Sequence, residues 1–584
     1  MAIKRWIDAR PYLVIPLALA VLIVPVLLIE LRVAQLSGGT FMYPLDDTFI
    51  HMTVAKTLAL HGNWGIAPGE FESASSSVGY TLLLAALFKA FGVHAFLPFL
   101  INLITAVVVV LVVDRWLKRE QVRPFARLVI LAAVVLLTPL PILVITGMEH
   151  TLQCLFSFLF LFGFAEWLAK AGPAFAKASG RAAFAKASGR AAFAKASAAE
   201  AGEAKASGRA AFAKASAAEA ISKMPVALFV YAFFACLTRY EGAFLVGIAC
   251  LMLLYKRRVP AAFLLGAVGA LPIIVFGAYS ILQGSYFLPN SVLLKSDGAR
   301  LSLGGLASFF FQTVEQKLTI SLTGIAATVT QHLLVILPLS YLALAGPLKR
   351  SVRFSYVLLM LIVTTFLQLT LASTGWFYRY EAYLVLCTVC LLAVMGYHFR
   401  EELMPKVKAY PAAVAFLVFA LFLPMAYRTA AAFTKAPRAC MNIYDQQYQM
   451  AKFLHRYYND QVIAVNDIGA VSFFKKEKNI DLMGLADIKV ARSKKDNYCS
   501  PGFLDSLSRS EHAGVAIVFD SWFSDSLLAK WNKVATWTIP DNVICQDSTV
   551  TFYAIDKGQT GELRNHLEQY QPSLPFGVHV HYFN

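Results

Sequence analysis

Between Pro11 and Tyr427 the chain runs repeatedly through apolar stretches long enough to cross a lipid bilayer, separated by polar or charged segments. A spanning helix needs about 20 mostly apolar residues, because hydrocarbon offers no partner for unpaired backbone N–H and C=O groups. Candidate crossings lie at Pro11–Leu31, Phe96–Val113, Leu128–Ile145, Leu152–Leu168, Val226–Leu237, Ala243–Tyr255, Ala261–Leu282, Ala326–Ala345, Phe354–Leu371, Ala382–Tyr397 and Pro411–Tyr427. That makes about eleven if every run spans. The two runs either side of Thr238–Gly242 are short for full crossings, so re-entry or burial within the bundle stays open there. The first run follows Lys4, Arg5 and Arg10 without a small-residue cleavage site, and is read as a retained anchor rather than a cleaved signal. Only 15% of the residues are charged and 58% are hydrophobic, against roughly 25% charged in ordinary soluble chains. A soluble enzyme, a secreted disulfide scaffold and a disordered protein are excluded.

Charge sets the expected orientation. Lys and Arg number 52 against 35 Asp and Glu, a net of +17. If the N-terminus lies inside, the inside segments are the N-terminal tail, Asp114–Arg127, Lys170–Lys223, Lys256–Arg258, Lys349–Arg353 and Arg400–Lys408. Together these hold 27 Lys and Arg and 8 Asp and Glu, net +19, which leaves −2 for the rest of the chain. Cytoplasmic loops carry such an excess, so the outer loops and everything beyond Tyr427 are expected to face the periplasm or exterior. The basic balance is thus a topology signal, and no nucleic-acid partner is implied.

Residues 173–220 repeat a nine-residue unit, FAKASGRAA or FAKASAAEA. Nine residues advance a helix by about 900°, a half turn beyond whole turns, so Phe175, Phe184 and Phe193 would alternate between opposite sides. No apolar stripe results. The segment is read as a frayed or disordered cytoplasmic insertion with no catalytic role. Its basic residues could touch anionic headgroups, with a passive solvated loop as the competing reading.

Beyond Tyr427 charged residues become frequent and the apolar runs shorten to strand length. Tyr444–Tyr458 reads as a helix; Gln461–Val465, Ile480–Met483, Val515–Phe519 and Thr549–Ile555 read as strands, giving a soluble α/β domain. Five of the eight cysteines lie in apolar spans, Cys387 and Cys390 in one of them. Cys440, Cys499 and Cys545 fall on the oxidising side, where one disulfide is an open reading.

The polar motifs collect on the expected outer side. Tyr43-Pro44-Leu45-Asp46-Asp47 opens the first outer loop; later turns carry Gly147-Met148-Glu149-His150, Thr238-Arg239-Tyr240-Glu241-Gly242, Leu288-Pro289-Asn290-Ser291 with Lys295, and Phe377-Tyr378-Arg379-Tyr380-Glu381. Charges at the mouth of apolar helices are costly unless pairing or function compensates. Asp46-Asp47 suits a general base, a metal ligand, or an N-cap at Asp47. Arg239 with Glu241, and Arg379 with Glu381, are read either as structural pairs or as ligand contacts. The run Ser73, Ser75, Ser76, Ser77 reads first as a helix cap. Five such turns on one face suggest a shared cavity. A transporter would instead place polar groups near the midplane and show internal repeats.

In their order along the chain, Asp46-Asp47, Gly147-Met148-Glu149, Thr238-Arg239-Tyr240-Glu241-Gly242 and Leu288-Pro289-Asn290-Ser291 resemble the GT-C superfamily of multispanning glycosyltransferases. They look most like bacterial members related to mycobacterial terminal arabinofuranosyltransferases. The resemblance covers residues 40–385 without the insertion, and rests on motif order and common sidedness rather than on any single short motif. It implies an α-helical polytopic catalytic domain over 1–427, with its first outer loop at 32–95, and an outer α/β domain over 428–584.

The activity implied is transfer of a sugar from a polyprenyl-phosphate donor to an envelope glycan, lipid or protein acceptor, with inversion, at the outer face of a bacterial inner membrane. Carried over residue by residue, Asp46 is the expected general base, and Asp47 orients it or helps hold a divalent cation such as Mg or Mn. Arg239, Lys295 and Arg379 are the expected donor-phosphate contacts; His51, Glu149, Glu241, Asn290, Tyr378 and Glu381 the substrate contacts. Asp467, after a predicted strand, and Asp487 are candidates for the acceptor glycan, with a plain turn as the competing reading. A lipid-linked oligosaccharide ligase or polymerase, and a glycolipid transporter or flippase, are the alternatives. The topology predicts that, with the eight native cysteines replaced by serine, a membrane-impermeant maleimide labels Ser510→Cys in intact cells and leaves Arg257→Cys unlabelled; the reverse pattern would invert the orientation.

Overall fold

The computed structural model describes residues 2–193, 224–294, 348–496 and 498–584, with isolated positions 337, 341 and 346, and of 172–193 the backbone alone. The expected crossing Ala326–Ala345 apart from positions 337 and 341, Lys295, and the insertion beyond Phe193 lie outside the described residues.

Five helices are long and apolar enough to cross a membrane: Pro11–Leu36, Leu97–Arg119, His150–Ala171, Val259–Leu282 and Val352–Leu371. Counting the bent pairs Pro124–Leu137 with Leu140–Thr146 and Ala382–His398 with Arg400–Ala409 raises this to seven among the described residues, fewer than the eleven expected. The chain is a multi-pass membrane protein. Its first helix shows how the apolar sequence is used: Val14, Ala18, Leu22, Val26, Ile29 and Val33 form a buried stripe, while Val24, Leu27, Leu28 and Leu31 stay exposed on the outward faces. In water such a surface would be a liability; against lipid tails it is solvated.

Part of the shortfall is physical. Val226–Thr238 and Gly242–Tyr255 have 13 and 14 residues, so each reaches about 20 Å at 1.5 Å per residue, against a core of about 30 Å. They meet at the Arg239–Glu241 turn instead of each crossing the bilayer alone. Val78–Phe91 is a further short apolar helix, capped by Ser77, whose hydroxyl accepts from the Tyr80 amide as the serine run suggested. The helix begun at His150 continues to Phe193, into the first repeat units, where frayed chain was expected. Ala and Lys sustain helix without any apolar stripe.

The basic segments share one end of the bundle. Asp8 accepts from the Phe125 amide at 2.9 Å, Arg127 pairs with Asp114 at 3.0 Å, and Arg353 grips Glu120 with two bonds of 2.8 and 2.7 Å. Arg258 donates to the Ala171 carbonyl and Arg350 pairs with Glu402. The polar motif turns and the C-terminal domain lie at the other end.

Pro411–Ile443 passes unbroken through the expected domain boundary at Tyr427 and leads, through a π-helical turn Tyr444–Tyr448, into helix Gln449–Tyr457. The C-terminal domain is built on six strands: β1 Ile463–Val465, β2 Asn479–Asp481, β3 Val515–Val518, β4 Asn532–Thr538, β5 Thr549–Ala554 and β6 His579–Tyr582. Their order is β2-β1-β3-β5-β4-β6, with β2, β1 and β3 parallel and the remaining pairings antiparallel. Strands β4 and β6 are absent from the sequence reading. The first opens on Asn532 and Lys533 and has a register irregularity there; the second is an edge strand with exposed His579 and His581. All eight cysteines are free, so Cys440, Cys499 and Cys545 form no disulfide.

The domain is clamped onto the segment between the first two long apolar helices, residues 46–70. Phe49 packs against Phe473 and Phe474 with ring centroids 5.9 Å apart, Lys56 donates to the Phe473 carbonyl at 2.7 Å, and Lys478 pairs with Glu70 at 2.9 Å. On another edge Lys495 sits over the Tyr286 ring. At the centre both Asp46 carboxylate oxygens accept backbone N–H groups, from Gly469 and Ala470, each at 2.8 Å. A side chain at 469 would overlap the Asp46 carbonyl and carboxylate, so only glycine permits this approach. Asp46→Ala would strand two buried donors, costing about 1–3 kcal/mol of docking free energy. Hydrogen exchange should then speed up over 469–474 and stay unchanged in the Leu97–Arg119 helix.

Candidate active site

The helix Asp46–His61 begins at Leu45, and neither aspartate caps it. The N-cap expected at Asp47 is therefore corrected: both carboxylates lie in the first turn, beside the free N–H groups, and both turn toward other elements. Asp46 faces the C-terminal domain. Burial above all, then the nearby Asp467 charge, push its carboxyl from the ordinary 3.8 up to about 8. Burial also pushes Asp467 up, to about 6. The docked form therefore holds a proton that an undocked domain would release. This stabilisation is fully present at acid pH and is lost as pH rises toward about 8.

Asp47 faces the helix bundle. Its Oδ2 accepts a short bond from Arg379 Nη2, and it lines a cavity of about 230 Å³ with His51, Arg239, Glu241, Ser291 and Arg379. The apolar walls include Ile50, Phe244 and Leu371. All five expected outer motifs thus meet around one cavity, the second of them through Met148. The third candidate cation, Lys295, lies outside the described residues.

The two arginines differ in what they have left to give. Arg239 is spent: Nε and Nη2 grip Glu241 at 3.0 and 2.5 Å, and Nη1 reaches Glu149 at 2.8 Å. Of the two readings of Arg239 and Glu241 this is the structural pair, extended to Glu149. Glu149 also meets His51 Nε2 at 3.5 Å, while His51 Nδ1 contacts Ser75 at 2.9 Å. Burial lowers the His51 pKa, so the ring is neutral near pH 7. Arg379 is 1% exposed, and its Nε has no hydrogen-bond partner among the described residues. Its Nη1 meets only the Met148 sulfur, at 3.0 Å, and Nη2 is shared between Asp47 and the Tyr380 hydroxyl. A thioether is a weak acceptor, so this buried guanidinium retains unmet donors beside the cavity.

Arg379 and Glu381 do not pair with each other. Glu381 accepts from the Gly375 amide at 3.0 Å and faces Arg428 at 3.5 Å; Arg428 donates to the Tyr378 and Leu137 carbonyls. These contacts brace a turn in which Trp376, Phe377 and Tyr378 have φ of 37°, 58° and 62°. Three consecutive side-chain-bearing residues in the left-handed region are costly and persist only where surroundings impose them. Tyr378 and Glu381, expected as substrate contacts, thus build the turn and are not among the cavity-lining residues. Asn290 likewise reaches toward the C-terminal domain, donating to the Ala486 carbonyl at 3.4 Å, and Ser291 lines the cavity in its place. Arg428 was missed because it follows an apolar run with no motif around it.

Asp487 caps helix Ile488–Lys495 by accepting from the Lys489 and Val490 amides, the plain-turn reading. No group of three or more His, Cys, Asp or Glu among the described residues is arranged to hold a metal ion. With both Asp46 oxygens on backbone N–H groups and Asp47 on Arg379, the pair does not fit a bridging divalent cation.

A family described as a domain of unknown function (DUF8728) matches residues 441–553. No curated protein matches the chain by sequence. Among solved structures, the chain is similar to ArnT from Cupriavidus metallidurans bound to undecaprenyl phosphate, with 12% identity over 94% of this chain and 98% of that one, at a TM-score of 0.48. It is also similar to the Archaeoglobus fulgidus oligosaccharyltransferase in its apo form, with 12% identity over 92% of this chain and 74% of that one, at a TM-score of 0.43.

Gly147, at φ 64°, joins the helix Leu140–Thr146 to the Met148-Glu149 turn, and a Cβ there would strike the Tyr43 ring and Thr48. Gly147→Ala should lower stability by about 1–3 kcal/mol, read as a fall in the unfolding midpoint in nanodiscs. Raising pH from 6 to 8 should loosen the Gly469 and Ala470 amides beyond the intrinsic rate change, an effect Asp46→Asn abolishes.

Proposed function

We propose that this protein is a GT-C-type glycosyltransferase of a bacterial inner membrane, moving a sugar from a polyprenyl-phosphate donor to an envelope acceptor on the outer face. The observation that carries the reading is Arg379, a buried guanidinium with unmet donors beside a cavity that has apolar walls. Retaining a buried, under-satisfied cation costs stability, and an anionic ligand repays it. A phosphate monoester on a long apolar chain matches both the cation and the apolar surroundings. The motif order Asp46-Asp47, Gly147-Met148-Glu149, Thr238–Gly242 supports the same class.

In this reading Asp47 takes the role first expected of Asp46. Asp46 has committed both oxygens to the domain contact, whereas Asp47 borders the cavity and is held next to the phosphate-binding candidate. The Asp47 carboxylate removes the acceptor hydroxyl proton as that oxygen attacks the anomeric carbon. The bond from that carbon to the phosphate oxygen breaks, the lipid phosphate leaves with the bonding pair, and configuration inverts. Arg379 stabilises the charge that gathers on the departing phosphate. Arg239, neutralised by Glu149 and Glu241, holds the cavity wall. The sugar, the acceptor's class and the outward orientation belong to this proposal.

The test is transfer from a labelled polyprenyl-phosphate sugar by full-length protein in nanodiscs with envelope extract. Asp47→Asn should slow transfer by about 10²–10⁴-fold, the usual worth of a positioned base, while Asp46→Asn stays within about tenfold of wild type. Equal losses in the two variants would overturn the assignment. Movement of intact labelled lipid across liposomes, without cleavage, would identify a transporter instead.

A further inference from the structure

A second cavity, of about 510 Å³, lies between the helix bundle and the C-terminal domain, and Asp467, named from the sequence as a candidate acceptor contact, is among its lining residues. It shares Asp47, Ile50, Ser373, Tyr380 and Leu485 with the first cavity, so the proposed base stands in the wall between the two. Its other side is the parallel half of the sheet. Strands β2 and β3 flank β1 on opposite sides, so the chain reverses its direction of travel across the sheet at β1. Open parallel sheets bind ligands in the crevice at the carboxyl ends of strands flanking such a switch point. The residues just past those ends line this cavity: Asn466 and Asp467 after β1, Met483 after β2, and Trp522 after β3. Asn466 ties two of the ends together, accepting from the Phe519 amide at 2.9 Å.

The lining chemistry separates the two cavities. The first offers unmet guanidinium donors. The second offers acceptor oxygens at Asp47 and Asp467, amides at Gln447 and Gln546, and one cation, Lys494, while Asp46 borders it with both oxygens on the domain contact. Lys494 already donates to the Met483 carbonyl at 3.0 Å. Such a lining has no uncommitted guanidinium for phosphate or a uronic acid and suits neutral hydroxyl groups, which donate to carboxyl and amide oxygens. Trp376 and Trp522 also line it, 40% and 36% exposed, while Trp531 and Trp537 of the same domain are 4% and 1% exposed. Open indole faces take the apolar C–H face of a sugar ring. Trp376 is held there by the left-handed turn that Arg428 and Glu381 brace.

We infer that this cavity is a binding site for a neutral carbohydrate acceptor, seated between Trp376 and Trp522 so that a hydroxyl group reaches Asp47. The inference rests on the glycosyltransferase reading for the acceptor's role, while the site's affinity for neutral sugar can be measured without it. The experiment uses full-length protein in nanodiscs, with saturation-transfer NMR against the methyl glycosides of arabinose, galactose, glucose and mannose. Binding of undecaprenyl phosphate is measured in parallel by native mass spectrometry.

At least one glycoside should bind wild type, and Trp522→Ala should weaken it by about tenfold or more. Gln546→Ala should weaken it less, and both variants should keep undecaprenyl phosphate binding, which Arg379→Ala should lose. Retained lipid binding also shows that the Trp522→Ala protein is folded. If no glycoside binds wild type, or if Trp522→Ala leaves glycoside binding unchanged, the inference is overturned. Equal loss of lipid binding in Trp522→Ala would overturn the separation of the two sites. If glycosides bind as described but no lipid-linked sugar is ever cleaved, this site stands and the transferase reading falls.

Discussion

A guanidinium almost wholly out of water must be surrounded by acceptors, and this constraint organises the motif-bearing end of the helix bundle. Arg239, Arg379 and Arg428 are each 8% exposed or less, and between them they draw in Glu149, Glu241, Asp47 and Glu381 from four separate turns. Removing one member of such a set leaves an uncompensated buried charge, which costs far more than the pair's net contribution. The turns therefore hold one another in place across long sequence separations. Arg239 meets the constraint fully with protein groups; Arg428 and Arg379 each keep an Nε without a hydrogen bond, but the Arg428 Nε faces the Glu381 carboxylate at 3.5 Å, whereas Arg379 has only the Met148 sulfur at Nη1. That difference separates two braces from a candidate binding group.

The C-terminal sheet domain is part of the same construction. Asp46 and Asp47 are adjacent in sequence and opposite in use: one receives the backbone of the Gly469-Ala470 turn, the other receives Arg379. A single helical turn thus fixes the domain relative to the cavity and sets a carboxylate between two chemically distinct spaces. Because the Asp46 contact uses backbone donors, its geometry depends on Gly469 having no side chain.

Much of the architecture was legible because bilayer solvation leaves a strong mark in sequence. Long apolar runs, basic loops and polar turns sorted themselves, and the motif residues around Asp47, Arg239 and Arg379 do converge. What escaped had weaker marks. The partners of Asp46 are main-chain amides more than 400 positions away, which no side-chain pattern can announce. Arg428 sits inside the continuous helix Pro411–Ile443 with no motif around it. Tyr378 and Glu381 look like ligand contacts until the left-handed turn shows that they are needed to build it. Strands β4 and β6 are stabilised by antiparallel neighbours more than by their own apolar content.

The central claim is that Arg379 is held for a lipid phosphate and Asp47 for the chemistry beside it. The most direct measurement is a cryo-EM structure of the full-length protein in nanodiscs with undecaprenyl phosphate. The account predicts phosphate density in the first cavity, within hydrogen-bonding distance of the Arg379 Nε and Nη1 donors, with the Arg239–Glu149–Glu241 cluster intact. Phosphate density on a different set of residues, with Arg379 still against Met148, would contradict it.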